Sequence, residues 1–450
     1  MTAPVPYLYV AQMAAYIEAA QGWPAPVAAR EAALKCILDL LSAILVGVDD
    51  LGPVAIRKTV PIIFGGGNSP IWFTGETASL IGAAWANSSA AAALDLDDGN
   101  RFARGHPGAA IIPAVFAVAQ DVGASLDEIL AAIMIGYEVG VAVGAARTTY
   151  GNSGTWTPYG VVAAAAALRR TPRAIVEHAL AIAGESAPNQ AFASAPSPRI
   201  PAPEGAAVKE GIPWSVVTGL TALHLAEAGH TGPRNILDSR RHYEFPEDLA
   251  LGADPHICKT YFKPYACCRH IHAPLAALLD LMEKHGIDGK AIDGMKVDIH
   301  AAGLRISNRA SPQNLTDVQY SIPYCLALVA LHGPEVLVPA TLDTLKLDGV
   351  RELAEKVQLS LDAELDAIYP QDIRARVTLT CGGIQYVSDP TPPKGEPLMS
   401  WEELSEKLTM ATRIVVNSDQ QNQLLKAMDE ARSGDLSSLI SCLNQKLITP

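Results

Sequence analysis

From Tyr7 to about Ala228, apolar residues recur at spacings of three and four in long Ala/Leu/Ile/Val runs, broken at Gly22-Trp-Pro-Ala-Pro26, Asp49-Asp-Leu-Gly-Pro53 and Leu168-Arg-Arg-Thr-Pro-Arg173. That period gives each helix one apolar face, and the breaks carry the proline and glycine that end helices. Glu76 to Ala93 reads as a buried helix, and Pro107 stands where a first helical residue is favoured. Ile129 to Ala146 is the longest apolar stretch, with one acid, Glu138, and glycines at 136, 140 and 144, one helical turn apart. That spacing lets helices approach closely, and the single acid with no other candidate span argues for a soluble core rather than a membrane. Strand signals are nearly absent here except in Gly65 to Thr74, a glycine turn running into a short extended piece. It lacks the GxGxxG spacing and the Walker lysine of a phosphate loop.

The pattern changes after about residue 262. Met295 to Ala301, Val357 to Asp362 and Arg376 to Cys381 alternate or are rich in β-formers, Gly382-Gly383 separates two such runs as a tight hairpin does, and helices are expected over His272 to His285 and Tyr324 to Leu331. Asp389 to Pro397 reads as a Pro/Gly linker; Trp401 to Ala431 reads as helix again, with Ser400 as cap and Glu403 three residues on. The fold class expected is mainly α: a large all-helical domain over 1–262, completed by 398–450, and a smaller α+β lid over 263–397.

Composition narrows the function. With 450 residues, 49% of them hydrophobic and 18% charged, the chain is a well-buried globule of more than one domain. Its formal charge of −13 argues against nucleic acid or an anionic membrane as partner. Seven cysteines without repeated spacing make no disulfide framework, and the N-terminal segment lacks a basic n-region and cleavage site, so a cytoplasmic protein is expected. Cys267 and Cys268 are adjacent, a poor chelate without CxxC geometry, and read as small hydrophobes near a site.

The candidate chemistry centres on Ala93-Leu-Asp-Leu-Asp-Asp-Gly-Asn-Arg-Phe-Ala-Arg-Gly-His-Pro-Gly-Ala-Ala110, which joins three carboxylates, two arginines and a histidine in one helix-to-helix connection. Polar residues between helices are ordinary, and a solvated loop is the plain alternative. At a helix N-terminus, unpaired N–H groups and the macrodipole tend to hold His106 neutral. Asp95, Asp97 and Asp98 resemble a calcium loop, but Gly99 and Asn100 fall where a ligand and then the glycine belong, and no metal is expected. Lys209 precedes a long apolar helix, where a cation is unfavourable for the dipole. Lys263 to His272 holds Lys263, Arg269, His270 and His272, with no acid between Asp254 and Asp280, a local bias that suggests a carboxylate-binding surface. Tyr324 opens an apolar helix, where a core tyrosine is the ordinary reading.

Segments 65–88, 93–120, 153–170, 219–233, 263–281, 320–333 and 392–408, in this order and spread over nearly the whole chain, resemble the MmgE/PrpD family, which includes 2-methylcitrate dehydratase, cis-aconitate decarboxylase and iminodisuccinate epimerase. The resemblance implies a homodimer, a small carboxylate substrate, no cofactor and an active site between the two domains. Carried over by position, it implies catalytic roles for Asp95, His106, Lys209, Lys263 and Tyr324. With the basic clusters it makes Arg101, Arg104, Tyr150, Asn152, Arg269 and His270 substrate-binding candidates. Decarboxylase-like members carry threonine where Gly99 stands and histidine where Gly151 stands, so that reaction loses support. The Arg-Phe-Ala-Arg-Gly-His stretch has the spacing of epimerase-like members. The expected function is a hydro-lyase acting on a small hydroxy di- or tricarboxylate; the alternatives are an epimerase, a decarboxylase and a non-catalytic carboxylate-binding protein.

Overall fold

In the computed structural model, residues 8–188, 204–396 and 398–450 are described; the first seven residues, including Tyr7, and Pro397 at the end of the expected linker lie outside them. The long apolar runs fold as helices around one core. Val27–Gly47, Leu80–Ala92, Gly108–Val122, Leu126–Ala146, Thr157–Arg169, Arg173–Glu185 and Ile212–Glu227 supply most of it. Leu126–Ala146, the one described helix long and apolar enough to cross a membrane, has 89% of its apolar window buried inside the protein. Its glycines explain the tight packing: a Cβ on Gly140 would stand 3.3 Å from Gly160 Cα on Thr157–Arg169, and one on Gly136 would stand 3.0 Å from Ala164 Cβ. A capping box of Ser125 and Glu128 starts this helix.

One expected helix is shorter than its alanines suggest. Glu76–Ala78 is a strand paired antiparallel with Ser69–Ile71, and the helix begins at Leu80, where the Ser79 hydroxyl accepts from Gly82 N at 3.2 Å. The threonine in Glu-Thr-Ala and the serine cap decide the boundary over the helix propensity of the neighbouring alanines.

A second core builds the α+β part. Its sheet has the strand order Val357–Leu361, Gly294–Ile299, Ala375–Cys381, Ile384–Val387; the first pair is parallel and the other two antiparallel. Met295, Val297 and Ile299 alternate inward and meet the helices Arg269–His285 and Ile322–His332. Gly382 and Gly383, at φ 58° and 81°, turn the last hairpin with the two positive φ values that a tight turn of this kind demands. The chain then returns to the helical part. Leu404, Leu408, Leu424 and Leu439 join the first core, although the expected single helix is split into Trp401–Thr412 and Ser418–Arg432, the second capped by Asn417. The Ser400–Glu403 capping box is present. A two-residue strand, Gly99–Asn100, pairs with Thr260–Tyr261 and so fastens the acidic loop to the segment that leads into the α+β part.

Candidate active site

The acidic loop is buried. Asp95 takes φ +57°, and its carboxylate collects three cations: Lys209 Nζ at 3.5 Å and His106 Nε2 at 3.7 Å from Oδ1, and Lys263 Nζ at 3.3 Å from Oδ2. Asp97 stands 3.4 Å from His106 Nδ1 and 3.8 Å from Lys263 Nζ. The Nδ1–H of His106 donates to the Asp98 carbonyl at 2.8 Å, which aims Nε2 at Asp95. Lys263 arrives through the strand pairing at Gly99–Asn100 and is fully buried. Lys209 arrives through strain: Lys209 and Glu210 have φ +45° and +57°. Glu210 is held there by the Ser153 backbone N–H and hydroxyl, at 3.2 and 2.8 Å, and by the Tyr320 hydroxyl at 3.3 Å. Arg104 is also left-handed, at φ +56°. Half of the eight described non-glycine residues with positive φ thus belong to this site, a concentration of backbone strain typical of functional positions.

Burial opposes every charge here, and the neighbours decide the outcome. Desolvation would raise the Asp95 carboxyl, but Lys263, Lys209 and His106 outweigh it and hold the group well below the usual carboxylate range. Asp97 is lowered against burial by His106 and Lys263. Burial and Lys263 push His106 down, yet Asp97 and Asp95 win, and it is raised to about 9. The expected neutral imidazole is therefore corrected: two buried carboxylates overrule the helix terminus, and His106 is an imidazolium at pH 7.

Beside this cluster, between the helical and the α+β parts, lies a cavity of about 320 Å³. Arg104, Tyr150, Asn152 and Lys209 line it from the helical side; Cys268, His270, Arg305, Tyr320 and Tyr369 line it from the other. Lys209 belongs to both cavity and cluster, and its Nζ also donates to Gln319 Oε1 at 2.6 Å. Neither Arg104 nor Arg305 pairs with an acid among the described residues. Burial pushes the Cys268 thiol up to about 12, so it stands protonated.

Three candidates fall elsewhere. Tyr324 is fully buried in the second core, and its hydroxyl donates to the Thr344 carbonyl at 2.8 Å. Tyr320, one turn earlier, is the tyrosine at the cavity, with its ring 5.2 Å from Lys209 Nζ. Arg101 and Arg269 do not line the cavity: both bind Glu396, each at 2.9 Å, and Arg269 also donates to the Lys394 carbonyl and stacks over Tyr261 at 4.1 Å. Both arginines are thereby spent on an acid far along the chain. Sequence reasoning did not single out Tyr320, Gln319, Arg305, Tyr369 or His300, nor Asp39 and Lys407; of these, Tyr320 and Lys407 carried a signal, since they lie in the segments 320–333 and 392–408 of the resemblance.

The two departures from decarboxylase-like members are built in. A Cβ on Gly99 would stand 2.4 Å from the Tyr261 ring, and one on Gly151 2.4 Å from Arg147 Nε. Neither a threonine nor a histidine fits without displacing those neighbours. Asp95, Asp97 and His106 have ligand atoms within 4.8 Å of one another. Lys263 and Lys209 already meet these carboxylates, however, and their charges oppose a divalent ion in the same place.

Residues 11–244 match the MmgE/PrpD N-terminal domain, and residues 265–431 match the MmgE/PrpD C-terminal domain. No curated protein matches the chain.

Proposed function

The chain belongs to the MmgE/PrpD family, and from that membership and the geometry of the site we propose that it is a cofactor-independent lyase, a dehydratase of a small hydroxy di- or tricarboxylate of the 2-methylcitrate type. The observation that carries the reading is Asp95 with three cations within 3.7 Å, one of which, Lys209, also lines a cavity between the two parts of the chain. Proton removal beside a carboxylate adds charge to a group that is already anionic, and positive groups in a partly dry site stabilise it most. Lys209 meets that developing charge at the cavity wall. Arg104 and Arg305 offer a remote carboxylate a guanidinium from each side. Asp95, held ionised, takes the carbon proton; His106, as imidazolium, gives its own to the hydroxyl, which leaves as water, and the proton on Asp95 then restores His106 across 3.7 Å, while Tyr320 takes the place assigned to Tyr324 as second donor. Lys263 lies behind Asp95 and Asp97 and fixes them rather than meeting substrate. Action as a homodimer in the cytoplasm belongs to the same proposal; the free thiols of all seven cysteines suit a reducing compartment.

The second reading is epimerisation of an iminodisuccinate-like dicarboxylate. Glycine in place of threonine at 99 and of histidine at 151, with the Arg-Phe-Ala-Arg-Gly-His spacing, favours it over decarboxylation. Proton NMR in D2O with citrate-like, malate-like and aminodicarboxylate substrates separates these reactions. With a citrate- or malate-like acid, a new vinylic proton signal that grows as the substrate's methylene signals disappear is the expected result. Inverted configuration with deuterium gained identifies an epimerase, and no reaction with any acid returns the chain to a binding protein. Turnover should survive exhaustive EDTA; loss restored by one divalent metal overturns the mechanism.

A further inference from the structure

His270, the second residue of Arg269–His285, faces the cavity, and a second imidazole stands behind it. His270 Nδ1 lies 2.9 Å from His300 Nε2. The His300 ring lies flat against Tyr369, with centroids 4.4 Å apart at 9°, and Tyr369 also lines the cavity. His300 Nδ1 is buried without a hydrogen-bond partner among the described residues. One proton must lie between the two rings, and its owner follows from that orphaned atom. If His270 were the donor, neutral His300 would carry its proton on Nδ1, leaving a buried N–H unpaired. If His300 Nε2–H donates, the orphan is a lone pair, which is the less costly arrangement. His270 then accepts at Nδ1 and carries its own proton on Nε2, which makes no hydrogen bond within the described residues. The tautomer is set from behind.

We propose that His270 is a catalytic residue of the lid wall: a neutral imidazole that donates Nε2–H to the substrate oxygen on which charge accumulates, with His300 as the positioning residue that fixes its tautomer. The inference rests on the carboxylate reading above. Burial, His300 and the adjacent Arg269 push His270 down to about 3, and burial takes His300 to about 4 against the opposing pull of Asp366, so both rings are neutral at pH 7. A neutral donor matches a developing enediolate in acidity, so it binds the oxygen without surrendering a proton to it. The site then has two imidazoles in opposite states: protonated His106 on the helical side and neutral His270 on the lid.

The tautomer is read on the ligand-free protein by ¹⁵N NMR of histidine-labelled enzyme, with His270 assigned by its loss in His270→Gln. The expected result is an unprotonated, hydrogen-bonded Nδ1 and a protonated Nε2 at pH 7. A proton on Nδ1, or an imidazolium, overturns the inference whatever the enzyme does. Saturating tricarballylate, a tricarboxylate with no hydroxyl to lose, should move the Nε2–H resonance downfield and leave Nδ1 unprotonated; an unchanged resonance in protein whose melting temperature the ligand raises also overturns it. If no carboxylate of the panel raises the melting temperature, the carboxylate reading fails while the tautomer result still stands. With an active substrate, His270→Ala should lose about 10²-fold or more in kcat. His270→Gln, which keeps an N–H, should recover most of that, and His300→Phe should lower kcat far more than it raises KM. Equal rates for the Ala and Gln variants would make His270 a wall and nothing more.

Discussion

Two buried ion clusters hang from the same loop, and they are built for different ends. Asp95 and Asp97 face Lys209, Lys263 and His106, beside the cavity. Asp98, one residue on, turns the other way: it accepts from the Tyr137 hydroxyl at 2.5 Å and from Gly108 N at 3.0 Å, close to the buried pair Asp39–Lys407. The residue types are the same and the burial is equal, yet Asp95 is held well below its ordinary range while Asp98 is raised to about 7 by burial and the charges of Asp39 and Asp97. The difference lies in cation supply. Where two lysines and an imidazolium converge, a buried acid stays ionised and its field is available to a ligand; where neutral donors dominate, the acid protonates and serves to anchor the helix Gly108–Val122. One face of the loop is arranged for chemistry and the other for position.

The largest effect should come from the chemical face. His106→Ala removes the imidazolium and is expected to lower turnover by about 10² to 10⁴, the usual contribution of one acid–base group, with far-ultraviolet circular dichroism unchanged. Because free His106 titrates at about 9, kcat/KM should fall as pH rises through that value rather than near 6.5. An alkaline limb near 6.5 would mean that the carboxylates do not hold the proton, and the comparison between the two faces would lose its basis.

The positional face should answer in stability instead. Lys407→Met strands Asp39 in the interior without its cation and removes a 2.9 Å bond to the Leu96 carbonyl. The expected cost is about 3–5 kcal/mol, read as a lower urea midpoint, with kcat per folded molecule little changed. Replacing both members, Lys407→Met with Asp39→Leu, should recover much of it. A Lys407 variant that keeps its stability but loses turnover would show the lower cluster to be part of the chemistry.

A smaller effect separates the two aspartates by pH. The Asp98 carboxyl titrates at about 7 in the folded protein, against about 3.9 in an unfolded chain. The folded state therefore holds that proton more tightly, so the stabilisation is complete below about pH 4 and is lost as pH rises through about 7. Asp98→Asn cannot ionise. Its melting temperature relative to wild type should rise between pH 5 and pH 8 by roughly 2–4 °C or more. A difference that falls with pH would place Asp98 with Asp95, as an acid that the fold keeps charged.

What the sequence discloses follows the range of the interaction. The loop from Ala93 to Ala110 was legible because its acids, arginines and histidine are local, and its helices because their period is local. The partners that fix each charge were not: Lys407 pairs with Asp39 across 368 positions, and Arg269 with Glu396 across 127. Arg101 and Arg269 looked like substrate ligands because nothing in their neighbourhood shows the acid that occupies them. The neutral-histidine expectation failed for the same reason, since a helix terminus is visible in sequence and the convergence of Asp95 and Asp97 on one ring is not. The strand Glu76–Ala78 was hidden by the alanines that follow it.

The smallest effect tests the one candidate that the fold moved from the site to the core. Tyr320 and Tyr324 lie one turn apart in the Tyr-Ser-Ile-Pro-Tyr segment, but the turn between them runs from the cavity into the second core, because Ser321 caps the helix Ile322–His332 by accepting from Tyr324 N at 3.1 Å. Tyr324 is thereby committed to packing, and its hydroxyl spends its proton on the Thr344 carbonyl. Tyr324→Phe should then cost about 1 kcal/mol of stability, the net worth of one such bond, and leave kcat and KM within twofold. Tyr320→Phe removes the hydroxyl at the cavity and the bond to Glu210, and should lower kcat with little change in melting temperature. The pair is read together, by steady-state kinetics and thermal unfolding on the same preparations. A Tyr324→Phe variant that folds normally but has lost its rate would return that residue to the site and give Tyr320 the structural part.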